Sequence, residues 1–143
     1  MTATLNYVGI DVAKDWLDIA VQPSGEHWRA SHDAPGLAQV VARLDEVAPA
    51  LVVLEASGGY ERPVLAALTA AGLPVALVNP RQTHDFAKAT GKLAKTDRLD
   101  ALALARFAQA VQPPPQPRPP VETQLLAATL ARRRQLQEML TAD

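Results

Sequence analysis

Apolar residues fall in short runs punctuated by glycine, proline and acids. Residues 5–11 read as a strand, with Tyr7, Val8 and Ile10 as its apolar content. Gly9 within it lets another backbone or a ligand approach closely. Residues 16–21 alternate and predict a second strand, and the short link Ala13-Lys14-Asp15 fits a hairpin. Pro23-Ser24-Gly25 makes a turn before a third strand over 27–31, which completes an antiparallel meander. Pro35-Gly36 then breaks the chain. Leu37, Val40, Val41, Leu44 and Val47 recur at helical spacing and predict a helix over 37–47, closed by Pro49. The continuous run Leu51-Val52-Val53-Leu54 predicts a central strand buried on both faces, ending in Glu55. Ser57-Gly58-Gly59 is a loop, and Pro63 suits the first turn of a helix that ends near Gly72. Residues 74–78 form another buried strand, closed by Asn79-Pro80. Residues 81–95 predict a short helix followed by a mobile basic loop around Gly91.

A further helix is predicted from about residue 95 to 111. Asp97, Asp100, Leu104, Phe107 and Val111 are spaced by threes and fours, so they share one face. The last three are apolar, and two carboxylates therefore head a stripe that faces the core. Unpaired buried charge is costly, so such a pair needs cations or water nearby. Either acid alone could simply favour a helix N-terminus. Two of them on the core-side stripe point to a site.

Residues 113–120 hold six of the twelve prolines and predict a stiff extended linker. A domain boundary is placed there, with a compact domain over 1–112. Beyond it, Leu125, Thr129, Arg132, Leu136 and Met139 fall at heptad-like spacing, and no stop signal precedes Asp143. Residues 121–143 thus read as the start of a longer coiled-coil-like helix in a larger protein. Its apolar stripe predicts self-association, as a dimer or higher oligomer.

Charge sharpens this reading. The net charge is −1, but residues 1–80 carry four basic and nine acidic side chains, whereas residues 81–106 carry six basic and three acidic ones. A basic segment beside candidate metal-binding acids predicts a polyanionic partner. Lys14, Arg81, Lys88, Lys92, Lys95 and Arg98 are the candidate nucleic-acid contacts. The chain has no cysteine, which excludes disulfides and thiolate metal sites. It has neither a membrane-length apolar run nor a signal-peptide pattern, so a cytoplasmic, nucleoid-associated protein is expected.

The element order, three strands, helix, strand, helix, strand, helix, is that of the ribonuclease H-like fold. The expected architecture is α/β, ribonuclease H-like, a mixed five-stranded sheet with helices on both faces, followed by a C-terminal helix. Ligands of parallel sheets gather at the strands' carboxyl ends, where Asp11 and Glu55 stand. With Asp97 and Asp100 they make four candidate catalytic carboxylates. An all-oxygen set suits a hard cation, Mg²⁺ or Mn²⁺. Two such ions about 4 Å apart can activate a nucleophile and stabilise a leaving oxygen in phosphodiester transfer. Glu61 rivals Glu55 but sits in a helix first turn, where glutamate is common. Asp15 and Asp18 are expected to face solvent on the second strand. His27, His32 and His84 are scattered surface residues. Ser57-Gly58-Gly59 lacks the Lys-Ser/Thr of a phosphate-binding loop.

Gly9-Ile10-Asp11-Val12-Ala13-Lys14, Leu54-Glu55-Ala56-Ser57-Gly58-Gly59-Tyr60-Glu61, Asn79-Pro80 and Lys95-Thr96-Asp97-Arg98-Leu99-Asp100-Ala101 occur in that order. Together they resemble the N-terminal RuvC-like domain of the DEDD transposases of the IS110 group, with the Piv-type DNA invertases as relatives. The resemblance implies DNA strand cleavage and transfer, with Asp11, Glu55, Asp97 and Asp100 binding Mg²⁺. It further implies a coiled coil, a second domain with a nucleophilic serine, and a structured guide RNA bridging donor and target DNA. Ser24, Ser31 and Ser57 match no such nucleophile. Three other readings compete. A sugar-kinase or actin-like ATPase would want a Gly-Thr-type phosphate hairpin where Val12-Ala13-Lys14 stands. A RuvC-like junction resolvase shares the chemistry but not the long helix after the prolines. A non-catalytic nucleic-acid-binding module would be favoured by loss of one of the four acids, and all four are present.

Overall fold

The computed structural model describes residues 5–90 and 100–116. Five strands form one mixed sheet in the order β3-β2-β1-β4-β5. They are β1 (Tyr7–Val12), β2 (Trp16–Gln22), β3 (His27–Ser31), β4 (Leu51–Glu55) and β5 (Val75–Val78). The first three pair as an antiparallel meander, and β4 and β5 add in parallel beside β1. The helices are α1 (Ala34–Val47), α2 (Glu61–Ala70), α3 (Pro80–Ala89) and α4 (Ala101–Val111).

Strand alternation builds two cores. Val8, Ile10, Leu17, Ile19, Val52 and Leu54 face one side, where Val40 and Leu44 of α1 and Val64 and Leu68 of α2 cover them. Tyr7, Leu51, Val53, Ala76 and Val78 face the other side, against Leu104, Phe107 and Ala108 of α4 and Phe86 of α3. Phe86 and Phe107 meet edge to face, their centroids 5.5 Å apart, which locks α3 to α4.

Gly9 explains how closely α4 sits. A Cβ at that position would lie 2.3 Å from the Ala101 carbonyl oxygen and 2.3 Å from the Ala105 amide nitrogen. Small residues continue the contact, with Ala20 of β2 packed against Ala101 and Ala105. The close backbone approach expected at Gly9 is thus made by a helix of the chain itself.

Two helix starts differ from the sequence expectation. Pro35-Gly36 is not a break but the first turn of α1. Asp33 caps that helix, its carboxylate accepting from the Gly36 amide at 2.8 Å, and proline is tolerated where no helical amide partner exists. Helix α4 begins at Ala101 rather than near residue 95, because Asp100 has extended backbone (φ −95°, ψ 176°) and accepts from the Ala103 amide at 2.9 Å. The expected helical course of residues 95–99 and the basic loop at Gly91 lie outside the described residues. After α4, residues 113–116 form no helix or strand. The rest of the proline segment and the helix expected over 121–143 also lie outside the described residues.

Candidate active site at the carboxyl edge of the sheet

Asp11 belongs to the α4 side of β1, since Val8, Ile10 and Val12 all turn toward α1 and α2. The same alternation places Glu55 on the α4 side of β4, two residues beyond the buried Val53. Strands β1 and β4 are parallel neighbours, with Ile10 opposite Leu54. One step further along both strands, Asp11 and Glu55 stand side by side at the carboxyl ends. Both are half-buried.

Helix α4 carries the third acid to the same edge. It starts over Gly9 and Ala20 and ends over Tyr7 and Leu51, so it runs back against the direction of β1. Gln112 at its end donates to the Tyr7 hydroxyl at 3.1 Å. Asp100, one residue before Ala101, therefore stands at the carboxyl edge. It is exposed and engaged as the helix cap, not buried on the core-side stripe. Its short side chain reaches the unpaired amides of the first turn, the N-terminal role weighed for a single aspartate. Asp97 lies outside the described residues. Among the described residues, no three His, Cys, Asp or Glu side chains are grouped closely enough to hold a metal ion. What Asp11, Glu55 and Asp100 offer at this edge is carboxylate oxygen. That suits Mg²⁺, which one or two protein carboxylates commonly hold while substrate phosphates complete its shell.

Three contributors were not read from the sequence. Thr83 of α3, 2% exposed, places its hydroxyl 3.0 Å from Glu55 Oε2. Asp18 does not simply face solvent. It pairs across β1–β2 with Asp11 and is gripped by Arg29 of β3, Nε to Oδ1 at 2.8 Å and Nη2 to Oδ2 at 3.3 Å. The hairpin register could have revealed Asp18, because a tight turn at 13–15 sets Val12 against Leu17 and hence Asp11 against Asp18. Nothing local points to Thr83.

Glu61 has a structural task. It is buried, and its Oε2 accepts from the Ser57 amide, the Ser57 hydroxyl and the Gly59 amide at 3.1, 3.1 and 2.9 Å. Its own backbone amide, then those of Ser57 and Gly59, hold its carboxyl below the usual range against the opposing effect of burial. The Ser57-Gly58-Gly59 amides thus serve a carboxylate of the same chain.

Among the described residues, the candidate cations do not form one patch. Lys14 is exposed in the β1–β2 turn and Arg81 in the first turn of α3, both at the carboxyl edge. Lys88 is in the last turn of α3. Nearby Thr90 lines a groove with Gln22, which pairs with Tyr7 at the opposite end of β1. Lys92, Lys95 and Arg98 lie outside the described residues.

Comparison with known proteins adds three findings. A transposase family model, the DEDD type of the IS110 group, matches residues 8–143. The pilin gene-inverting proteins of Moraxella lacunata and Moraxella bovis are each 26% identical over 114 residues, covering 76% of this chain. The chain spans 35% of the length of each. Among solved structures, RuvC of T. thermophilus in complex with a Holliday junction substrate superposes with a TM-score of 0.57 at 19% identity. That match covers 79% of this chain and all of the RuvC chain. The fold is therefore RuvC-like, within the ribonuclease H-like class that the element order predicted.

Proposed function

The chain belongs to the IS110 family of DEDD transposases, and from that membership we propose that it supplies the metal-dependent catalytic domain of a DNA recombinase. The observation that carries the proposal is the placement of Asp11 and Glu55 at the carboxyl ends of adjacent parallel strands, on the face where α4 brings Asp100. Asp97 would complete the set. Bound Mg²⁺ or Mn²⁺ would neutralise the scissile phosphate and activate the attacking oxygen. The chain's part is to hold these carboxylates on rigid strand ends and a capped helix start, so that little reorganisation is needed when the phosphate arrives. Lys14 and Arg81 flank the edge and would attract the DNA backbone. Strand transfer would need the nucleophilic serine of a second domain in the longer protein, and target choice a structured guide RNA bound as a separate partner. Residues 121–143 would join copies of it.

The test is Mn²⁺ binding to the 143-residue chain mixed with a short DNA duplex, followed by electron paramagnetic resonance. Asp11→Asn and Glu55→Gln should each weaken binding at least about tenfold, the loss of one charged ligand. Wild-type affinity in both variants would overturn the proposal. Nicking of a four-way junction by this chain alone would favour the resolvase reading instead.

A further inference from the structure

The Glu55 carboxylate is held from a second element. Thr83, 28 residues further along the chain, puts its Oγ1 3.0 Å from Glu55 Oε2 and 2.9 Å from the Pro80 carbonyl oxygen. A hydroxyl carries a single proton, so these two acceptors share it. The Pro80 bond is the local one that any helical threonine can make three residues back. It would satisfy a buried hydroxyl here without Glu55. The bond to Glu55 is the non-local one, and an ionised acceptor makes it the stronger of the two. At 2% exposure, water has little access to compete for the proton.

We infer that Thr83 is a positioning residue for Glu55. Its hydroxyl commits Oε2, fixes the carboxylate at the end of β4, and leaves Oε1 as the oxygen that takes a divalent cation. This rests on the reading of Glu55 as a metal ligand. The anchor suits its purpose because α3 begins directly after β5, the strand beside β4. Its first turn is pinned by the Asn79–Gln82 capping box. The hydroxyl is therefore fixed relative to the strand end it serves.

The same Mn²⁺ titration, with the DNA duplex present, tests this on Thr83→Val, Thr83→Ser, Glu55→Gln and the Thr83→Val/Glu55→Gln pair. Thr83→Val should weaken Mn²⁺ binding about tenfold, as loss of a hydrogen bond to a charged group predicts. Thr83→Ser keeps the hydroxyl and should stay within about twofold of wild type. In the double variant the valine should add no further loss, because its effect passes through Glu55. Should the valine variant fail to fold, Thr83→Ala gives the same comparison. Wild-type binding by Thr83→Val beside a weakened Glu55→Gln would overturn the inference and leave the reading of Glu55 standing. So would a serine variant as weak as the valine one, or losses that multiply in the double variant. Wild-type binding by Glu55→Gln would instead overturn the reading of Glu55 itself.

Discussion

Asp18 stands directly across the β1–β2 ladder from Asp11, and Arg29, its own partner on β3, holds it through both carboxylate oxygens. Like charges opposite one another weaken a sheet. Arg29 offsets that repulsion and gives Asp18 a fixed cation, so the row Arg29–Asp18–Asp11–Glu55 runs from a cation on β3 to the two acids at the β1–β4 edge. Arg29 also sits 5.6 Å from the Trp16 ring centroid, which limits its freedom further.

Arg29→Met should lower the melting temperature by leaving Asp18 to repel Asp11. Adding Asp18→Asn should restore part of the loss. Calorimetry on the single and double variants checks this: no recovery in the double variant would mean that Arg29 acts through its packing on Trp16 rather than through charge.

Gly9→Ala should cost about 3 kcal/mol, the upper end of ordinary overpacking, because the new methyl meets backbone atoms that cannot rotate away. It should also weaken Mn²⁺ binding, since pushing α4 outward withdraws Asp100 from the edge. Denaturant unfolding and the Mn²⁺ titration read the two effects separately.

These cases show what could be read from the chain and what could not. Leu51-Val52-Val53-Leu54 announces a buried strand by composition alone, and with Gly9-Ile10-Asp11 it made the sheet and two of its acids legible. The start of α1 was misread because Pro35-Gly36 is a breaker in most contexts. Only the Asp33 cap turns it into a first turn. The position of Asp100 before the helix rather than within it has the same cause, since an aspartate pattern cannot distinguish a cap from a stripe. Thr83 was out of reach, because its meaning comes from a partner 28 residues away in sequence.

Glu61→Gln should destabilise the fold by about 1–2 kcal/mol at neutral pH, since three donors lose a charged acceptor. The folded-state pKa of Glu61 is depressed. The stabilisation it brings is therefore fully present above its unfolded value of about 4.3 and is lost as pH falls through the folded value. The stability gap between wild type and variant should narrow as pH falls below about 4.3 and close once the depressed folded value is passed. A gap that stays constant down to pH 3 would show that the charge of Glu61 is not what matters.

Chains ending at Gln116 and at Asp143 should differ in assembly. The heptad-like spacing of Leu125, Leu136 and Met139 predicts that only the longer one self-associates. Light scattering decides between them: equal monomer masses would remove residues 121–143 as the joining element.

The segment after α4 bears on how the sheet ends. The Gln116 amide donates to the Val75 carbonyl at 2.6 Å, while the Pro74 and Val78 carbonyls accept from Val52 and Ala56 on the β4 side. Gln116 therefore occupies an outward-facing acceptor on β5, the last strand. An open strand edge is a template on which a stray chain can add and seed aggregation. Here the position next to it is taken by a stretch whose preceding residues, Pro113, Pro114 and Pro115, have no amide proton to offer a newcomer. A chain trimmed back to Gln112 would uncover that template, and its loss of solubility would be a property of the sheet's border rather than of its core.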